Sequence, residues 1–129
     1  MFETVTKPWG YYMTVKKGVR PYTKEGYEGE FWPVVYWEKF LVFTPGNSLS
    51  LQSHQFRTEY WLVIAGYGLV TINDNKHVVE KGWEGVIRSG FKHRVQNTGK
   101  ILLVVKEIAE GIRCEEDDLV RYSDQYGRV

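Results

Sequence analysis

The chain has one cysteine, Cys114, in 129 residues, so no internal disulfide framework can hold it together. Cys114 follows Arg113 and reads as an ordinary small apolar residue in a reducing setting. No apolar run opens the chain or extends far enough to cross a bilayer, so neither an export signal nor a membrane span is expected. Neither sign of charge dominates: 17 Lys and Arg are interspersed with 16 Asp and Glu, leaving no broad basic field for nucleic acid or an anionic membrane. Long segments with a period near 3.6 residues are also missing, which argues against long helices. A cytoplasmic protein with neither nucleic-acid nor membrane partners is the expectation.

What is present fits one domain around one core, residues 1–129, since 43% of the residues are hydrophobic. Short segments of period-two alternation recur about every ten residues between Gly, Pro, Asn and Asp, the pattern of an antiparallel sandwich or barrel. Residues 8–16 read as a first strand closed by Gly18. Residues 18–34 read as an aromatic-rich loop or irregular hairpin. The strand over 34–46 alternates, with Trp37, Lys39, Leu41 and Phe43 on one face and Tyr36, Glu38, Phe40 and Val42 on the other. A hairpin turns at Asp74-Asn75, and 101–109 is a strongly apolar buried strand. The acidic run 115–118 is expected to cap a short helix before Leu119 or to form a solvated face.

Chemistry concentrates between Gly46 and Gly66, GNSLSLQSHQFRTEYWLVIAG. Gln52 and His54 are two apart, so on a strand both point to one face. Glu59 is an odd step beyond His54, and a turn or bulge at Gln55 to Thr58 must re-aim it to join them. The fourth polar donor is His93, in GWEGVIRSGFKHRVQN, where Ser89-Gly90 makes the turn that delivers it.

These two stretches resemble the paired motifs of the cupin superfamily, Gly-x5-His-x-His-x4-Glu-x6-Gly and Gly-x5-Pro-x-Gly-x2-His-x3-Asn, with Gln52 in the first His place and Arg88 in the Pro place. Further matches lie at LysProTrpGly 7–10, HisArg-x-x-Asn 93–97, GluAspAspLeuValArg 116–121 and TyrGlyArg 126–128. With Gln-x-His in place of His-x-His, the whole is similar to the C-terminal cupin domain of type II mannose-6-phosphate isomerases, usually fused to a mannose-1-phosphate guanylyltransferase. The resemblance covers nearly all of the chain outside residues 18–34. A chain of 129 residues is expected to carry no guanylyltransferase domain of its own. Phe56 and Tyr60 stand where the family often has His.

The resemblance implies an all-β cupin jelly roll, an antiparallel double-stranded β-helix. It also implies a divalent transition metal on Gln52, His54, Glu59 and His93. A mixed nitrogen and oxygen set suits Zn, Mn, Fe, Co or Ni. The implied activity is aldose–ketose isomerisation of a sugar phosphate, of the mannose 6-phosphate/fructose 6-phosphate type, through a metal-stabilised enediolate. Such a substrate needs cations for its phosphate. Lys39 can face the barrel, whereas Arg57 and Arg121, in turn and tail segments, are expected at the rim. No residue stands out as the general base. Two other readings use the same frame. An Fe(II) cupin dioxygenase would ordinarily favour three histidines, and a non-catalytic carbohydrate-binding cupin would use the aromatic segment 18–34. Exposed aromatics are compatible with a homodimer.

Overall fold

The computed structural model describes residues 3–22 and 32–128. Eleven strands run through them: β1 (Glu3–Lys7), β2 (Gly10–Tyr22), β3 (Trp32–Phe43), β4 (Leu51–Ser53), β5 (Arg57–Ala65), β6 (Tyr67–Ile72), β7 (Asn75–Glu80), β8 (Glu84–Ile87), β9 (His93–Asn97), β10 (Leu103–Gly111) and β11 (Val120–Ser123). One sheet has the order β1-β2-β3-β10-β5-β8 and the other β11-β4-β9-β6-β7, and every pairing is antiparallel. The chain crosses from sheet to sheet, as between β4 and β5, so the expected all-β jelly roll is what forms.

Alternation explains the interior. On β5 the inward row is Arg57, Glu59, Trp61 and Val63, all buried, while Tyr60 and Ile64 face out. On β3 the inward row is Trp37, Lys39, Leu41 and Phe43, as the alternation predicts. Each row is apolar at one end and polar at the other. The apolar ends pack together with Val70, Val79, Ile87, Val95, Leu103 and Val105, and Trp9 stacks on Phe43 with ring centroids 4.5 Å apart. The polar ends meet at the opposite end of the sandwich.

Three expectations change. The first strand is two strands, and the second continues through Gly18 to Tyr22, paired with β3 as far as Trp32. Gly18 does not end it, because the ladder to β3 runs on through the Gly18–Tyr36 pair, with an extended backbone at the glycine. The remainder of the aromatic segment, 23–31, lies outside the described residues. The hairpin turns at Asn73-Asp74, one residue earlier than expected. Asn73 takes a φ of 53°, which Asn tolerates, and its Oδ1 accepts the Lys92 N–H at 3.0 Å. The tail forms no helix: residues 116–117 make a turn, Glu115, Glu116 and Asp117 form the exposed face that was the other expectation, and Glu116 and Asp118 reach partners elsewhere in the fold.

Two motif residues acquire physical reasons. Gly10 has a φ of 147°, and a Cβ on it would lie 1.9 Å from the Val42 carbonyl oxygen, so only glycine lets β2 start against β3. Asn97 is buried and donates from Nδ2 to the carbonyls of Phe43 and Ile101, both at 2.8 Å, while its Oδ1 accepts the Gly99 N–H at 2.9 Å. It ties the end of β3 to the loop that leads from β9 into β10. Asn97→Ala should therefore lower stability by about 2 to 4 kcal/mol, since buried groups lose their only partners. Urea unfolding checks this, and a loss below about 1 kcal/mol would mean that water replaces those bonds.

Candidate metal centre

His54, Glu59 and His93 are brought together at the polar end, all buried, with their ligand atoms within 4.8 Å of one another. Glu59 lies between the imidazoles, its Oε2 3.5 Å from His54 Nε2 and its Oε1 3.7 Å from His93 Nε2. The odd spacing from His54 to Glu59 works because the chain bends at Gln55-Phe56 and changes sheets, so the two side chains face the interior from opposite walls. Gln52 pairs directly with His93 across β4 and β9 and lines the same cavity.

Backbone carbonyls fix the imidazole tautomers. His54 Nδ1 lies 2.6 Å from the Asp118 carbonyl and His93 Nδ1 3.1 Å from that of Phe91. A carbonyl can only accept, so each Nδ1 carries the hydrogen and each Nε2 presents a lone pair to the cavity. His93 Nε2 is buried with no hydrogen-bond partner among the described residues. A buried acceptor without a donor is costly unless something else takes the lone pair. Two neutral imidazoles and a carboxylate suit a divalent transition ion. Ligands sharing one ion at about 2.1 Å stand no more than about 4.2 Å apart, so small shifts close this set. The residues fit a metal.

Burial and neighbouring charge act oppositely on these groups. Burial alone would raise the Glu59 carboxyl, yet His54, Arg57 and His93 together bring it down to about 2, so it is an anion at neutral pH. Burial lowers His93 to about 4 against the pull of Glu59, so its ring is neutral.

Arg57 is not at the rim. It begins β5, is buried, and donates from Nε to Glu59 at 3.3 Å, from Nη1 to the Glu115 carbonyl at 2.9 Å and from Nη2 to His54 Nε2 at 3.1 Å. Its guanidinium lies 4.5 Å from the Trp37 ring. The cross-over that re-aims Glu59 also turns Arg57 inward, because the two are two residues apart on one strand. Arg121 also reaches the cavity: on β11 it stands opposite Gln52 and lines the same wall. Lys39 is buried as its alternation allows, over the Trp37 ring at 3.5 Å and the Tyr12 ring at 4.2 Å, and ion-paired with Glu116. Together they enclose a cavity of about 70 Å³, room for an ion and several waters.

Glu107, on β10 opposite Lys39, is the residue that sequence reasoning passed over. It is buried and accepts from Trp37 Nε1 at 2.7 Å. Burial first, then the Glu59 charge, pushes its carboxyl up to about 8. The signal was its parity: it shares the inward row of β10 with Leu103 and Val105.

The family described as Mannose-6-phosphate isomerase C-terminal matches residues 1–124. The chain belongs to that family. It is 36% identical over 129 residues to mannose-1-phosphate guanylyltransferase ManC of Salmonella typhimurium, covering all of this chain and 24% of that protein. It is 35% identical over 125 residues to the alginate biosynthesis protein AlgA of Pseudomonas putida, covering 97% of this chain and 23% of AlgA. The chain thus spans about a quarter of the length of the curated relatives it matches. Among solved structures it is similar to the capsular polysaccharide assembling protein CapF of Staphylococcus aureus, at a TM-score of 0.72 and 14% identity over 95% of this chain and 34% of CapF. A Klebsiella pneumoniae protein with a double-stranded β-helix domain matches at 0.61 and 14% identity, over 95% of this chain and 86% of its own. These likenesses carry the cupin fold.

His93 and Glu107 set a pH dependence whose sign can be worked out. His93 binds a proton below about 6.5 when unfolded but only below about 4 when folded, so its contribution rises with pH between those values. Glu107 loses its proton near 4.5 when unfolded and keeps it to about 8 when folded, so its contribution falls with pH across that window. Above pH 6.5 only the Glu107 slope of these two remains. Metal-free protein should lose stability from pH 6.5 to 8, by at most about 1.4 kcal/mol per pH unit, and Glu107→Gln should flatten that limb. Urea unfolding across the range measures it, and an unchanged slope in the variant would acquit Glu107.

Proposed function

We propose that this single cupin domain is a metal-dependent aldose–ketose isomerase of sugar phosphates, of the mannose 6-phosphate/fructose 6-phosphate type. The observation that carries the reading is the pair of fixed, lone-pair-bearing imidazoles beside an ionised buried carboxylate, in a cavity walled by cations. Gln52, His54, Glu59 and His93 would hold a divalent transition ion, whether Zn, Mn, Fe, Co or Ni. Bound there, the ion would supply Lewis acidity for the enediolate formed between C1 and C2.

The chain's own residues account for the rest. Lys39, Arg57 and Arg121 share the cavity wall and supply positive charge for a phosphate several bonds from the reacting carbons. What supports Arg121 in that role is its Nε, buried with no partner among the described residues. Lys39 keeps its ammonium at the cavity between aromatic rings and Glu116, where an incoming phosphate can exchange for the carboxylate. Trp9, Tyr12, Leu41 and Leu49 line the cavity too and keep water from its apolar side. We place the activity in the cytoplasm, in a homodimer compatible with the exposed Tyr60, Val86 and Ile108 on the outer face of the larger sheet.

Metal-loaded protein should exchange the C2 hydrogen of mannose 6-phosphate with deuterated solvent, scored by NMR. Lys39→Ala should cut that turnover roughly tenfold or more while leaving bound metal near the wild-type level, because it removes a charge-assisted contact and no ligand. Lack of exchange with any hexose phosphate would turn the reading towards a binding module. Full activity in the variant would remove Lys39 from the site.

A further inference from the structure

Within the tail motif 116–121, Asp118 has no place in the chemistry above, and it is buried. Asp118 lies 62 to 64 positions along the chain from the bend between His54 and Arg57, yet it holds that bend at three points. Its carboxylate oxygens accept the N–H groups of Gln55 and Phe56, each at 2.9 Å, and its carbonyl accepts His54 Nδ1–H at 2.6 Å. From the other side, the Gly90 N–H donates to the His54 carbonyl at 2.7 Å, and the Ser89 hydroxyl donates to Gln55. Neither of those contacts touches the His54 ring. The hydrogen bond on the other side of the ring, from Arg57 Nη2 to His54 Nε2 at 3.1 Å, comes from the residue that this bend delivers. The tautomer of His54 therefore depends on the Asp118 side both directly and through the direction in which the next strand carries Arg57 and Glu59.

We propose that Asp118 is the positioning residue of the centre. By satisfying both bend amides with one buried carboxylate, it brings its own carbonyl against His54 Nδ1 and so commits Nε2 to the cavity. The metal-binding part of this inference rests on the reading of the site given above; the positioning of His54 does not. A carboxylate suits the task because each of its two oxygens accepts one N–H, whereas the isosteric amide would turn an NH2 group towards one of the two donors. Partners behind a metal-binding histidine fix its ring and raise its basicity, and losing them typically weakens metal binding about 10- to 100-fold.

Two readouts on the full chain test this, one of them without metal. In metal-free protein, nitrogen-15 NMR should find His54 as the Nδ1–H tautomer in the wild type and as a mixture in Asp118→Ala. Calorimetric titration with Co2+ alone should give a Kd about 10- to 100-fold weaker in Asp118→Ala, with an altered visible spectrum of the bound ion. Asp118→Asn keeps one acceptor for the two amides, so it should fall between the two proteins, and it carries the test if the alanine variant does not fold. A folded variant with the wild-type tautomer and wild-type Co2+ affinity overturns the proposal. If the wild type binds no Co2+ but the tautomer still shifts in the variants, the positioning role stands and the metal reading falls.

Discussion

Burying charge at one end of a β-sandwich is the constraint on which the rest of this structure depends. Lys39, Arg57, Glu59 and Glu107, with His54 and His93, are each at most 6% exposed and share one end of the interior. An isolated ion in such a place would cost many kcal/mol, so the charges of Lys39, Arg57 and Glu59 must be answered by neighbours, while Glu107 keeps its proton up to about pH 8 and His93 stays neutral. Glu59 is answered by Arg57, Arg57 also by a carbonyl and the Trp37 face, Lys39 by Glu116 and two rings, and Glu107 by Trp37. The answer is incomplete at His93 Nε2, which has no partner among the described residues, and that residual acceptor is where the proposed ion would sit. Such an arrangement stabilises the fold little, since apolar side chains would pack there at lower cost.

The tail follows from the same constraint. Without residues 115–121 the polar end would lose the carbonyls that hold Arg57 and His54, the carboxylate that pairs with Lys39, and the cation opposite Gln52. A segment that reads as surface is thus the wall of a buried site. Sheet pairing supplies the opposing end: Trp61, Val63, Leu103 and Val105 pack the apolar half, so that β5 and β10 hold their polar residues on rigid rungs. Relatives whose names refer to mannose-1-phosphate guanylyltransferase carry this unit as about a quarter of a longer chain.

Much of this was legible from spacing and from the family resemblance. Period-two alternation placed Lys39 on one face with Trp37 and Leu41, the face that proves to be the inner one, and the resemblance to the double motif pointed to Gln52, His54, Glu59 and His93, which line one cavity. What escaped were residues whose roles depend on distant partners. Arg57 was assigned to a turn and the rim because sequence marks a bend without saying where the next strand resumes. Glu107 was absorbed into an apolar strand, although its parity matched the core row. Asp118 sat in a run of four acids, and only the fold separates it from its exposed neighbours. Gly18 was taken for a strand end, whereas the ladder to β3 continues through it.

The most direct test of the central claim is a crystal structure of the protein grown with Co2+, with anomalous diffraction collected at the cobalt edge. The account predicts a peak about 2.0 to 2.3 Å from His54 Nε2, His93 Nε2 and a Glu59 carboxylate oxygen, with the Gln52 carbonyl oxygen completing the protein ligands. No peak at that position with cobalt in excess, or a peak held by other residues, would contradict it.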